Sequence, residues 1–163
     1  MKVAGVVLVA GLMLAGVCAA QEAGMRVPSV EMAPVGKVQI RPGGTASVQL
    51  DFRVGSEFHI NSNKPHSELL IPTALRLAGE GPLSVASVKY PVGQDVAFPF
   101  APGEKLSVYS GDFSITTVVK AASNTATGEY SVSGQLRFQA CDKSACYPPK
   151  SIPVKFKVTV AGK

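Results

Sequence analysis

The strongest constraint on this chain is a period of two. In SIPVKFKVTV, residues 151 to 160, the apolar residues Ile152, Val154, Phe156, Val158 and Val160 fall on one side of an extended backbone. Lys155, Lys157 and Thr159 fall on the other. The same alternation recurs in KVQIR, TASVQLDFRV, EFHINS, LIPTALRLAG, PLSVASVKY, KLSVYSGDFSITTVVK and GEYSVSGQLRFQA. Turn signals separate these runs: Pro42-Gly43-Gly44, Gly79-Glu80-Gly81-Pro82, Pro102-Gly103 and the stretch from Asn124 to Gly128. No segment carries a convincing amphipathic helical pattern, and no internal repeat is visible. Many short strands divided by turns predict an all-β fold, an immunoglobulin-like antiparallel β-sandwich.

The chain has 163 residues, 46% hydrophobic and 17% charged, which suits one domain with a real core and argues against disorder. Its first 20 residues read as a secretory signal: Lys2, an uncharged apolar run from Val3 to Val17, then the small residues Cys18-Ala19-Ala20. That run is shorter than the roughly 20 residues a membrane-spanning helix needs. Lipidation at Cys18 is not expected, because the residue before it is Val17 where a small one is wanted. Residues 21–36, QEAGMRVPSVEMAPVG, lack periodicity and read as a flexible lead-in, leaving 37–163 as the domain. The net charge of +5 is spread along the chain, as on a solvated face, and nucleic-acid or membrane binding is not expected.

Chemistry concentrates in FQACDKSACYPP, residues 138 to 149. It holds Cys141 and Cys146, the two cysteines outside the signal segment. In GQLRFQAC the apolar set is Leu136, Phe138 and Ala140, which puts Cys141 with Gln135, Arg137 and Gln139 in the outward phase. This strand and SIPVKFKVTV are candidates for a hairpin closed by residues 142 to 149. In a secreted protein two cysteines are most simply joined. A loop this short contributes only about 2 kcal/mol in chain-entropy terms, at the low end for disulfides. An exposed disulfide at a strand end is also one that thiolates can reach. The residues alone leave a structural staple and a redox pair both open. His59, His66, Cys141 and Cys146 could in principle form a two-Cys, two-His metal set. Nothing in the sequence brings either histidine to the cysteines, so no metal and no cofactor is expected.

Three segments together resemble the N-terminal, periplasmic domain of the thiol:disulfide interchange protein DsbD: HINSNKP (59 to 65), LIPTALRL (70 to 77) and, most specifically, QACDKSACYPP (139 to 149). The resemblance covers about residues 36 to 160. It implies an immunoglobulin-like sandwich that receives electrons from a thioredoxin-like domain and passes them to oxidised periplasmic partners. It makes Cys141 and Cys146 the redox pair. Some members have five residues between the cysteines where this chain has the four from Asp142 to Ala145, a difference of loop shape. DsbD continues into a membrane domain and a thioredoxin-like domain. This sequence ends at Lys163 with neither, so electrons are expected from separate thioredoxin-like proteins, with a membrane reductant conductor in trans as a further candidate. The HINSNKP and LIPTALRL segments read as structural, Asn61-Ser62-Asn63 as a turn and Ile71-Pro72 as the entry to an edge strand.

Two expectations attach to the pair. Family members shield their cysteines with a loop that presents an aromatic ring. Here AFPFAPGEK, residues 97 to 105, offers Phe98 and Phe100, either of which could instead fill the core. Within the pair, Asp142 beside Cys141 disfavours a thiolate there, whereas Cys146 has Lys143 and Lys150 nearby in sequence. The resemblance likewise favours the second cysteine, so Cys146 is expected to bond to partners and Cys141 to resolve the mixed disulfide.

Overall fold

Alternation turns directly into burial in the long strands. A computed structural model describes residues 27–162, so the secretory-signal reading of residues 1–20 lies outside the described residues. In β3 (Thr45–Val54) Val48, Leu50, Phe52 and Val54 are buried and the residues between them exposed. β9 (Asp112–Ala121) buries Phe113, Ile115, Thr117, Val119 and Ala121. β12 (Lys150–Val160) buries Val154, Phe156, Val158 and Val160, with Ile152 packed at the margin.

These strands build two facing sheets. The first has the order β1-β3-β9-β6, where β1 is Val30–Met32 and β6 is Leu83–Lys89. The second has the order β2-β12-β10-β5, where β2 is Val38–Ile40, β10 is Gly128–Phe138 and β5 is Ala74–Gly79. Their inner faces share one buried cluster, including Leu50, Phe52, Ile115 and Val119 from the first and Val132, Leu136, Val154 and Phe156 from the second. No helix forms among the described residues. All strand pairs are antiparallel except β2 with β12, which run parallel.

The predicted hairpin is present. β10 and β12 pair from Gly128↔Val160 through Phe138↔Lys150, and residues 139–149 close it. The lead-in reading is corrected over part of its length: Val30–Met32 pairs with β3, and Val30 is buried. A strand of three residues, set between Pro28 and Pro34, is too short for its periodicity to show.

A third, smaller sheet has the order β11-β4-β8-β7: Ala140–Cys141, His59–Asn61, Lys105–Tyr109 and Gln94–Ala97. Its strands continue those of the sandwich. β4 follows the end of β3, β8 precedes the start of β9, and β11 follows β10 with only Gln139 between. The end of β3 pairs with the start of β9, Arg53 opposite Asp112, so these connections converge on one end of the sandwich. There the cysteines lie.

Candidate functional site

At Gln139 the chain leaves one sheet for another. β10 ends at Phe138, still paired with β12, while Ala140 and Cys141 pair with Ile60 and His59 of β4. The change of sheet resets which face each residue occupies. Cys141 is fully buried, with 0% exposure, and Ala140 beside it is buried too. This corrects the expectation of an outward Cys141, which assumed one uninterrupted strand.

Amide side chains hold the break. Gln139 Oε1 accepts from Asn61 Nδ2 (3.1 Å) and from the Ile71 amide (3.2 Å), and Gln139 Nε2 donates to the Tyr147 carbonyl (3.2 Å). Asn61 Nδ2 also donates to the Ile71 carbonyl (3.0 Å). Asn61 and Ser62 are therefore buried, at 0% and 1% exposure, and the turn expected at Asn61-Ser62-Asn63 begins only after them. Ile71-Pro72 does lead into β5, an edge strand.

Cys141 and Cys146 form a disulfide with Cα atoms 3.9 Å apart. Local bonds set the loop between them. The Asp142 amide donates to the Ala145 carbonyl (2.9 Å), and the Tyr147 amide donates to the Ala140 carbonyl (2.8 Å). Asp142 Oδ1 accepts the Ser144 and Ala145 amides (2.7 and 2.9 Å), and Asp142 Oδ2 accepts the Tyr147 hydroxyl (2.7 Å). The Tyr147 hydroxyl first, then the two amides, hold the Asp142 carboxyl below its ordinary range, so it remains an anion. The same bond raises the Tyr147 phenol. The Tyr147 ring rests edge-on against Phe58, centroids 5.9 Å apart. Cys146, unlike Cys141, is partly exposed. The two lysines expected near it, Lys143 and Lys150, are both exposed, and Lys150 Nζ donates to the Pro28 carbonyl (3.3 Å).

Sequence reasoning missed His59 as a neighbour of this pair. The β4–β11 register sets it directly across from Cys141. It is 5% exposed, and burial pushes its pKa down to about 4 against a weaker opposing pull from the Asp142 charge. The ring is therefore neutral at neutral pH. On it lies Phe98, stacked at 4.0 Å between centroids, and Phe98 in turn stacks on Phe100 at 5.4 Å. Both phenylalanines are half-buried, and neither belongs to the core cluster of the sandwich. His66 is elsewhere, bonded to Asp95 (2.7 Å). Among the described residues no group of three or more His, Cys, Asp or Glu is placed to hold a metal ion.

A search of curated protein sequences gave no match. Among solved structures, the N-terminal domain of Neisseria meningitidis DsbD in its reduced form aligns at 15% identity over 78% of this chain and 90% of that one, TM-score 0.43. The seventh ScaB type I cohesin of Pseudobacteroides cellulosolvens aligns at 17% identity over 82% and 93%, TM-score 0.49. The N-terminal periplasmic domain of ScsB from Proteus mirabilis aligns at 10% identity over 80% of this chain and 44% of that one, TM-score 0.42. The profile of the family described as thiol:disulfide interchange protein DsbD, N-terminal, matches residues 27–157, well over half of the sequence and the whole region that builds the site. The chain belongs to this family of periplasmic domains that work with thioredoxin-like redox partners, and it is a thiol:disulfide interchange module.

Proposed function

We propose that Cys146 is the sulfur through which this domain exchanges electrons and that Cys141 resolves the mixed disulfide. The observation that carries this is the asymmetry of the pair: Cys141 is fully buried and Cys146 is partly exposed. Exchange requires a thiolate to approach one sulfur in line with the S–S bond, so access selects the target. A thiolate of a reduced thioredoxin-like donor attacks Cys146 Sγ. The Cys141–Cys146 bond breaks, and its electron pair leaves on Cys141 Sγ. The donor's second thiolate then attacks its own sulfur in the mixed disulfide, which releases Cys146 reduced and the donor oxidised by two electrons. Towards an oxidised periplasmic acceptor the steps run in reverse order, Cys146 attacking and Cys141 resolving.

Phe98 serves as the shield of the reduced pair, with Phe100 behind it. Its stack on His59, the residue opposite Cys141, supports this choice between the two rings. Membership in the family supports a periplasmic location, and the apolar segment before Gln21 is read as the signal that delivers the chain there.

Equilibration of the pair with a glutathione buffer tests the redox role. A reduction potential in the range of exchange proteins, roughly −120 to −270 mV, is expected, and a value below about −300 mV would mark an inert staple.

A further inference from the structure

His59 Nε2 is buried and meets no hydrogen-bond partner among the described residues. An unpaired buried nitrogen costs on the order of 1–3 kcal/mol, so stacking on Phe98 does not account for a histidine here; phenylalanine would stack without that cost. What distinguishes the position is its neighbour. His59 and Cys141 are directly opposed in an antiparallel pair, so their side chains leave the sheet on the same face, with Cβ atoms roughly 4.5–5.5 Å apart. The sulfur of Cys141 changes its hydrogen-bonding capacity as the disulfide opens. A disulfide sulfur is a poor acceptor, whereas a thiolate is a strong one.

Cys141 is also the sulfur that most needs help. When the disulfide opens, the electron pair is left on an atom with no exposure to solvent, where an unpaired anion is costly. The Asp142 carboxylate cannot assist, being an acceptor already engaged by Tyr147, Ser144 and Ala145. We propose that His59, as the neutral tautomer protonated at Nε2, donates a hydrogen bond to the Cys141 sulfur once the Cys141–Cys146 bond has broken. The bond is absent in the disulfide state and forms to the Cys141 thiolate once the disulfide has opened, so it stabilises the reduced form with Cys141 ionised and eases departure of Cys141 as leaving group. The proton stays on nitrogen, and no further oxidant or reductant is involved. This inference rests on the redox reading of the pair.

The test compares full-length wild-type protein with His59→Phe and His59→Gln in glutathione buffers. His59→Phe keeps the stacking ring and removes the donor. Its dithiol/disulfide equilibrium is expected to move roughly tenfold towards the disulfide, equivalent to about 30 mV. His59→Gln, which offers an amide donor, should recover part of the shift. A merely structural histidine would change the melting temperatures of both redox forms alike and leave this equilibrium constant where it was. The second arm needs no mutation: the Nε2 resonance of 15N-labelled His59 in wild-type protein should shift on reduction. An unchanged equilibrium in His59→Phe, or an Nε2 signal indifferent to reduction, overturns the proposal while leaving the redox reading intact. A wild-type pair that does not equilibrate with glutathione overturns both.

Discussion

The sandwich and the small sheet at its end obey different rules. In the sandwich, β3, β9 and β12 bury alternate residues, and their inward faces are almost wholly apolar. In the small sheet, β4 buries all three of its residues and β8 buries four of five, so both faces of these strands are covered. What they bury there is partly polar. His59, Asn61 and Ser107 lie in those strands and Ser62 and Thr73 adjoin them, linked by bonds such as Ser107 Oγ to Ser62 Oγ (2.9 Å) and the Thr73 hydroxyl to the Asn61 carbonyl. One region supplies stability by burying apolar area, and the other uses that stability to hold hydrogen-bonded groups around a disulfide.

Given this division, damage to the sandwich should be large and chemically indifferent. Leu50→Ala removes a side chain with 0% exposure from the shared core and is expected to cost about 3 kcal/mol, read by chemical denaturation. The glutathione equilibrium of the protein that remains folded should be unchanged. A shift in that equilibrium comparable to one caused by a residue of the small sheet would break the comparison.

Sequence made the two regions legible to different degrees, for the same physical reason. Alternation exposes a strand with one face in water, so the long strands and the β10–β12 hairpin could be read from periodicity. It is silent where both faces are covered, and it fails where a strand changes sheets. Gln139 is such a point, and carrying the phase of Leu136 and Phe138 across it put Cys141 outside instead of inside. The opposition of His59 and Cys141 joins residues far apart in the chain through a two-residue ladder, for which no local pattern exists. The hint available was chemical: HINSNKP sits among apolar strands yet is rich in polar groups that a buried strand must satisfy.

A buried neutral histidine gives the small sheet its own response to acid. The folded-state pKa of His59, about 4, lies below the ordinary 6.5, so the unfolded chain takes up the proton first. The contribution of His59 to stability should therefore be complete above about pH 6.5 and be lost between there and about pH 4, by about 3 kcal/mol. The lowered Asp142 carboxyl acts in a separate window, its contribution being lost only as pH falls below its ordinary 3.8. Denaturation curves at pH 7, 5.5 and 4.5 should show a decline in wild type that is much reduced in His59→Phe. Equal slopes in both would remove His59 as the cause.

The amide network predicts a smaller loss. Asn61→Ala deletes the donor to the Ile71 carbonyl and to Gln139, and should cost about 1–3 kcal/mol. It should also raise hydrogen exchange at the Cys141 and Tyr147 amides while sparing β3 and β9. Exchange that rises uniformly through the molecule would mean the small sheet has no independent identity.

Phe98→Ala should change stability least, by no more than about 1 kcal/mol, because the ring is half-buried and outside the core cluster. Oxidation of the reduced protein by a small oxidant should nevertheless become several-fold faster, with Phe100→Ala weaker. Identical rates in both variants and wild type would end the shielding assignment.

The central claim, that burial makes Cys141 the resolver and exposure makes Cys146 the point of entry, is met most directly by trapping. Each single variant, Cys141→Ser and Cys146→Ser, is mixed in reduced form with a thioredoxin-like protein that keeps only its attacking cysteine, activated as a mixed disulfide with thionitrobenzoate so that the small thiolate leaves and no second partner thiol can reverse the step, and the covalent product is measured by non-reducing electrophoresis and mass spectrometry. Cys141→Ser should accumulate a mixed disulfide through Cys146, and Cys146→Ser should give almost none. The reverse pattern would contradict the account.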